Sequence, residues 1–485
     1  MSMKEELIKI VGSEGFSDSP EILKTYSKDY SLVPPGMPNH VVKPKNVQEI
    51  QKIVMLANEH KTPIVPCSSS IHFHGATIPK QGGIILDLTR MNKILEIDEP
   101  NKRTRIEPGV TWEQIENELE KHEFRLVIPL LPHSSRSVVT DYLEREVPLA
   151  VVYEYGEPLQ SLGVVWPNGD IFRTGSASTP GYPDSVARGV NPWGPGIDFC
   201  RLLQGAQGTM GVVSWANVKI EYLPKVNKLM FALFSKVSDA VETIYRILRL
   251  RIGNECLLLN NIDLATILAT SWPKDFDKLR PILPPWTLIL SLSGSRRCPE
   301  ERIAYEEKAL MEIKKSEFHE MNISSALLGV PGAGTKLLDM LRKPWPKEVT
   351  YWKHRYKGAC QDLFFITKPI YTQKFIKVVE EVAVKHGYPI NDIGCYMQPI
   401  EHNRACRLEF NFFYNPNEPA EVELISRLYA EAAEVLLSQG AFFTRPYGIL
   451  AKLVYDKAAG YTAALKRVKK IFDPNNIMNP GNLCF

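Results

Sequence analysis

The stretch from Thr62 to Asn92, TPIVPCSSSIHFHGATIPKQGGIILDLTRMN, constrains the fold more than any other. It reads as a strand (Pro63 to Pro66), a loop of small residues, a Gly82-Gly83 turn and a second strand (Ile84 to Leu88). The loop holds Ser68, Ser69, Ser70, Ile71, His72, Gly75, Ala76 and Thr77. Short side chains between two strands let backbone N–H groups approach a phosphate closely. A surface connection is the competing reading, because most such loops only join elements.

The flanking sequence extends the pattern. Asn46 to His60 carries Val47, Ile50, Ile53, Val54, Leu56 and Ala57 at helical spacing, with Asn46 as N-cap and Glu49 three residues on. A hairpin is expected around Pro100-Asn101, and a helix from Thr111 to His122 with Thr111 as its cap. Phe124 to Ile128 reads as a strand, and Ser137 to Glu146 as a helix ended before Pro148. Leu162 to Trp166 and Ile171 to Thr174 form a hairpin across Pro167-Asn168-Gly169-Asp170. Ser176 to Pro195 is a long loop rich in Gly, Pro and Ser. Gly205 to Gly211 leads into a strand pair, Val212 to Val218 and Ile220 to Leu223.

At Pro224 the composition changes. Strands at Met230 to Phe234, Glu255 to Leu259, Trp286 to Ser293, Ala359 to Thr367, Ile393 to Pro399 and Cys406 to Tyr414 alternate with helices. The helices are Val237 to Leu250, Ile262 to Ala269, Pro299 to Ser316, Gly334 to Leu341, Tyr371 to His386 and Ala420 to Gln439. Cys406 to Tyr414 reads as a strand with one buried face. A helical tail, Lys452 to Phe472, stops at Asp473-Pro474. The chain of 485 residues exceeds one core, so two or three domains are expected. The fold class is α+β, with residues 1–224 and the returning segment 440–485 in one domain and residues 225–439 in an α/β second domain.

Composition narrows the function. With 58 basic and 55 acidic residues the net charge is +3, which offers no case for nucleic acid or an anionic membrane. The longest apolar runs are too short to span a bilayer. MSMKEELIKIVG opens as an amphipathic helix rather than a secretion signal. The eight cysteines form no CxxC pair and no zinc spacing, so no metal is expected and reduced cytoplasmic thiols fit.

Four stretches in this order give a resemblance. They are the opening loop with GGIILDLTRMNKILEID and RIEPGVTWEQIENEL; SVV and YLERE followed by LGVVWPNGDIFRTG; GPGIDFCRLLQGAQGTMGVVSWANVKIEYLP; and FDPNNIMNPG. Together they resemble the flavoprotein family of vanillyl-alcohol oxidase and p-cresol methylhydroxylase. The resemblance implies a two-part FAD domain, a cap over the isoalloxazine ring and a C-terminus that returns to the flavin. It places Ser68, Ser69, Ser70, Ile71, His72 and Gly75 at the FAD diphosphate, Gly208, Gly211 and Val213 beside the flavin, and Asn479 near the cofactor. Two departures stand out. Serines occupy places where the family often has glycine, keeping the N–H donor but resisting positive φ. Thr140-Asp141 and Glu144-Arg145-Glu146-Val147-Pro148 stand where the family has Gly-Asn and Glu-Arg-Gly-Val-Gly.

The same resemblance assigns the chemistry. Arg445, in FFTRPYG, matches the family's active-site arginine, expected to stabilise a phenolate, a carboxylate or the reduced flavin. An arginine bracing the last helix is the structural alternative. Tyr447 lines that pocket or belongs to the core. Glu154 or Glu157, in YEYGEP, falls near an acidic position beside flavin N5, as a base or as a solvated glutamate. His402 falls where some relatives attach FAD covalently. His72 and His74 face the cofactor or solvent. Tyr351, Trp352, His354, Arg355 and Tyr356 form a pocket wall or core aromatics. The implied activity is FAD-dependent hydride removal from a small phenolic or other aromatic substrate. The alternatives are a 2-hydroxy-acid dehydrogenase passing electrons to a partner protein, and a flavin-poor subunit of a larger complex. Implied partners are the small-molecule substrate, an electron-acceptor protein and further copies or subunits in an oligomer or complex.

Overall fold

The computed structural model describes residues 2–179, 191–318, 322–327 and 329–485. The middle of the Gly/Pro/Ser-rich loop expected at 176–195 lies outside the described residues.

A four-stranded sheet comes first: β1 (Phe16–Ser17), β2 (His40–Val42), β3 (Ile64–Cys67) and β4 (Ile84–Asp87), in the order β1-β2-β4-β3. β4 lies parallel to both β2 and β3, and all four of its residues are buried. The helix Val47–Glu59 joins β2 to β3. Asn46 Oδ1 accepts the Glu49 N–H at 2.9 Å, which satisfies one of the free donors at the helix start. Ile50, Ile53, Val54, Leu56 and Ala57 then bury one stripe against the sheet.

Seven strands follow: β5 (Ile94–Asp98), β6 (Arg103–Ile106), β7 (Phe124–Arg125), β8 (Leu159–Val165), β9 (Ile171–Arg173), β10 (Val212–Lys219) and β11 (Glu221–Tyr222). Five form an antiparallel sheet ordered β5-β6-β10-β8-β9. β11 pairs with β7 rather than with β10, so the strand pair expected at 212–223 is divided between two sheets. Helix Val138–Leu143 is shorter than the sequence suggests. Its cap is Ser137, whose Oγ accepts the Thr140 N–H, and the helix closes in a turn at 144–145, with Arg145 at φ of +58° and the Glu146 N–H on Asp141 O.

The second large sheet has seven strands: β12 (Val226–Phe234), β13 (Cys256–Asn260), β14 (Trp286–Gly294), β15 (Asn322–Ser324), β16 (Ala359–Thr367), β17 (Ile393–Ile400) and β18 (Ala405–Tyr414), ordered β15-β12-β14-β13-β17-β18-β16. Every pairing in it is antiparallel. β18 is buried on both faces rather than one. One face carries Cys406, Leu408, Phe410 and Phe412 into the apolar core. The other carries Arg407, Glu409 and Asn411 into a buried polar layer. Helix Lys274–Ile282 was not expected, because its charges and Pro281 mask any apolar stripe.

The C-terminus folds back onto the first sheet. The tail is two helices, Gly448–Lys457 and Ala459–Phe472. Beyond them Ile64 N–H donates to Ile477 O at 2.7 Å, and Asn479 N–H donates to Ile64 O at 2.8 Å. Asn479 Nδ2 donates to Ala76 O and Gln207 O, which ties the small-residue loop to the 205–211 turn. Buried Lys469 donates to Thr209 O and Met478 O and pairs with Asp473. No helix among the described residues is long and apolar enough to cross a membrane.

Candidate active site

The small-residue loop and the 205–211 turn face each other across a cavity of about 100 Å³. Its walls include Pro66, Ser68, His72, Ala76, Thr140, Glu144, Ala206, Gly208, Gly211 and Val213. Ser68, Ser69 and Ser70 keep negative φ, so serine in place of glycine brings no backbone strain. Ser69 Oγ accepts the Ser137 N–H at 2.8 Å, and Ser68 Oγ shares a short hydrogen bond with Thr140 Oγ1. The His72 ring bonds Ser69 O at 2.9 Å, and burial lowers its pKa to about 4, so it is neutral. Gly75 has φ of +76°, and its N–H is taken by Asp29 Oδ2 at 2.6 Å. Ser70 and Ile71 turn outward, to an open groove beside the N-terminal arm.

Beyond residues 140–146 lies a second cavity of about 60 Å³, between segment 129–147 and the seven-stranded sheet. Around it runs an ion-pair network. Arg136 pairs with Asp141 and Glu144. Glu146 Oε1 accepts from Arg445 Nη1 and Oε2 from Arg407 Nη1, both at 2.6 Å. Arg407 also pairs with Glu409, and Lys353 bridges Glu409 and Asp362. His74 Nδ1 stands 3.6 Å from Asp362, and its ring stacks on Tyr447 at 4.7 Å.

The protonation states follow from burial set against charge. Burial alone would raise Glu146, but the Arg445 and Arg407 guanidiniums hold it well below the usual carboxylate range. Asp362 is likewise buried, yet Lys353 and His74 bring it down to about 2. Burial lowers His74 to about 4, against the pull of Asp362, so a neutral imidazole faces an ionised carboxylate. Burial pushes the Tyr447 phenol up.

An aromatic wall completes the second cavity. Phe73 stacks on Tyr351 at 5.0 Å, and Tyr30 lies 4.6 Å from the His354 ring. The rest of the expected aromatic–basic cluster is elsewhere. Trp352 is fully buried, Arg355 donates to the carbonyls of Thr266 and Ala269, and Tyr356 bonds Arg280 and Asp392. A third chamber of about 390 Å³ opens on the far side of His74 and Asp362. Its walls include Leu32, Val33, Lys80, Phe364, Tyr429, Arg445 and Tyr447.

Among the sequence-predicted residues, the structure thus brings Ser68, His72, Gly208, Gly211 and Val213 to one cavity and Arg445 and Tyr447 to another. Glu154 and Glu157 do not join them. They sit in a surface turn, where Glu157 accepts the Glu154 N–H and Glu154 accepts the Gly156 N–H. The acidic group at Arg445 is Glu146 instead. His402 is in the β17–β18 turn with φ of +51°, its N–H on Val151 O, and it lines none of the three cavities. Sequence reading missed Arg136, Lys353, Asp362, Arg407 and Glu409. A signal for two of them was present: Arg407 and Glu409 alternate on one face of a strand otherwise rich in aromatics.

Comparison with known proteins gives the family. Residues 38–175 match the FAD binding domain family, and residues 371–483 match the C-terminal domain of FAD linked oxidases. The flavoprotein subunit of 4-cresol dehydrogenase (hydroxylating) from Pseudomonas putida is 30% identical over 478 residues, covering 92% of this chain and 87% of that one. A glycolate oxidase subunit of Bacillus subtilis is 27% identical, covering 99% and 96%. A mitochondrial D-lactate dehydrogenase (cytochrome) of Arabidopsis thaliana is 24% identical, covering 92% and 74%. In fold, p-cresol methylhydroxylase with substrate bound superposes with a TM-score of 0.85 at 20% identity, covering 99% and 96%. The chain therefore belongs to the FAD-linked oxidase family of vanillyl-alcohol oxidase and p-cresol methylhydroxylase, and FAD is that family's cofactor.

The residues present fit FAD at its diphosphate end. Where the loop faces the 205–211 turn, the 100 Å³ cavity presents Ser68, Ala76, Thr77, Ala206, Gly208 and Gly211, small groups that would let backbone N–H groups approach a diphosphate, and no Lys or Arg lines it; His72, Leu143, Glu144 and Gln207 stand in the wall as well. Both inner cavities are smaller than the roughly 300–1,000 Å³ of a cofactor-sized site, so seating the whole dinucleotide requires their walls to part.

Proposed function

We propose that this FAD-linked oxidoreductase acts on a small, uncharged aromatic substrate, a 4-alkylphenol or a benzylic alcohol, held beneath the seven-stranded sheet. The observation that carries the reading is the full pairing of the buried cations. Arg136, Lys353, Arg407 and Arg445 each already hold a carboxylate, and the cluster contains five carboxylates, Asp141, Glu144, Glu146, Asp362 and Glu409. A substrate carboxylate would add negative charge to a cluster already rich in it, at low dielectric. A neutral phenol meets no such penalty, and Phe364, Tyr429 and Tyr447 in the wall of the 390 Å³ chamber offer it ring faces.

FAD, when bound, supplies the acceptor for the hydride of the benzylic carbon. The protein's own residues handle the rest. Neutral His74, beside ionised Asp362, takes the phenolic proton, and the imidazolium so formed is stabilised by that carboxylate. Aromatic walls orient the ring and exclude water. The 390 Å³ chamber is of substrate size, and His74, Asp362 and Arg445 all stand in its wall.

A second reading, a 2-hydroxy-acid dehydrogenase, draws support from the glycolate oxidase and D-lactate dehydrogenase relatives. Lys80 at the chamber wall, which bonds Gly481 O and Asn482 Oδ1, would then meet the carboxylate. Turnover of 4-alkylphenols and 2-hydroxy acids with an artificial electron acceptor separates the two. Activity on phenols alone supports the first reading, and activity on hydroxy acids alone refutes it.

A further inference from the structure

Glu146 joins three parts of the chain. It follows the turn that closes helix Val138–Leu143, its N–H on Asp141 O, and its two carboxylate oxygens go to two different guanidiniums. Oε1 meets Arg445, from the C-terminal segment, and Oε2 meets Arg407, from β18. The two arginines differ in what else they hold. Arg407 keeps Glu409 as a second partner. For Arg445, Glu146 is the only carboxylate in an ion pair among the described residues. Arg445 is 3% exposed, lies 4.4 Å over the Phe364 ring and forms part of the wall of the 390 Å³ chamber. Arg407 and Glu146 line the 60 Å³ cavity behind it, so the two-arginine anion site reaches the chamber through Arg445 alone, and the protein fills that site with its own side chain.

We propose that Glu146 is the specificity-determining residue of this chamber: a built-in carboxylate that occupies the Arg445–Arg407 anion site and so excludes carboxylate substrates, 2-hydroxy acids and aromatic acids alike. The proposal rests on the reading of the substrate as an uncharged aromatic and supplies its physical cause. With Glu146 in place, an incoming carboxylate finds Arg445 taken and a like charge beside it. Without Glu146, Arg445 is a buried and unpaired charge, the situation a protein tolerates least. A small carboxylate arriving through the chamber would then take over the two hydrogen bonds that Glu146 made.

The test measures binding to the FAD-loaded protein, wild type against Glu146→Ala and Glu146→Gln, by calorimetry. The probes are 4-methylphenol, 4-hydroxybenzoate and D-lactate. Wild type is expected to bind the phenol and reject both carboxylates. Glu146→Ala should bind at least one carboxylate about 10- to 100-fold more tightly than wild type, the factor expected for one or two charge-assisted hydrogen bonds. Acetate should raise the thermal midpoint of this variant and leave that of wild type unchanged. Unchanged carboxylate affinity in a folded, FAD-containing variant overturns the proposal, as does a wild type that binds a carboxylate as tightly as the phenol. If Glu146→Ala does not fold, Glu146→Gln, which removes the charge at nearly constant shape, decides by the same criterion. Failure of wild type to oxidise 4-methylphenol would refute the functional reading separately, because the gain of anion binding is read without turnover.

Discussion

Glu255 is one of the carboxylates that join the first part of the chain to the seven-stranded sheet. It immediately precedes β13 and lies between Arg125 of β7, at 2.7 Å, and Arg342 of helix Ala333–Arg342, at 2.9 Å. Burial alone would raise its pKa, but Arg125 and Arg342 depress it from 4.5 to about 2. A shift of that size corresponds to about 3 kcal/mol of folded-state stabilisation, in line with the roughly 3–5 kcal/mol lost when one partner of a buried ion pair is removed. The sign follows from the depressed value: the stabilisation is present in full above the unfolded pKa of 4.5 and is lost as pH falls from there through about 2. Glu255→Gln should therefore be less stable than wild type by about 3 kcal/mol at neutral pH, with the deficit shrinking below about pH 4. Urea unfolding of both proteins at a series of pH values measures it, and the difference between them cancels the other titrating groups. A deficit under about 1 kcal/mol, or one that does not change with pH, would refute the reasoning.

Three further outcomes are expected. Asn479→Ala removes hydrogen bonds to Ala76 O and Gln207 O, so it should cost about 1–3 kcal/mol and weaken FAD retention on gel filtration. Gly208→Ala forces a Cβ to within 2.7 Å of Pro66 Cγ at φ of +71°; a loss of about 1–3 kcal/mol and of bound flavin absorbance is expected. With His74 as the base and its pKa lowered to about 4, kcat/KM for a phenol should be flat from about pH 8 to pH 5 and fall as pH drops through about 4.

Much of the fold was legible because its signals are local. The Asn46 cap, the alternation of β18 and the 167–170 turn each act over a few residues, and the structure has all three. The strand–loop–strand frame of the small-residue loop was legible as well, since two apolar runs flank Ser68 to Gly75 and the structure has strands at both. The ion-pair network was not, because its partners are remote: Arg445 and Glu146 are 299 residues apart, and Arg407 and Glu146 are 261. In the sequence, Glu146 stands out only as a departure, occupying a place where the family has glycine. YEYGEP attracted attention because its carboxylates match a family position, yet the chain closes that segment on itself by local hydrogen bonds. Strand β15 and helix Lys274–Ile282 were missed for a related reason: a three-residue strand and a proline-containing charged helix carry too little periodicity to read.

The most direct test is an anaerobic titration of the purified, FAD-supplemented protein, followed by its visible absorption. Oxidised-flavin bands that bleach on addition of 4-methylphenol and persist with D-lactate are the predicted result. Bleaching by D-lactate with no response to phenols, or a protein that stays colourless after FAD is added, would contradict the account.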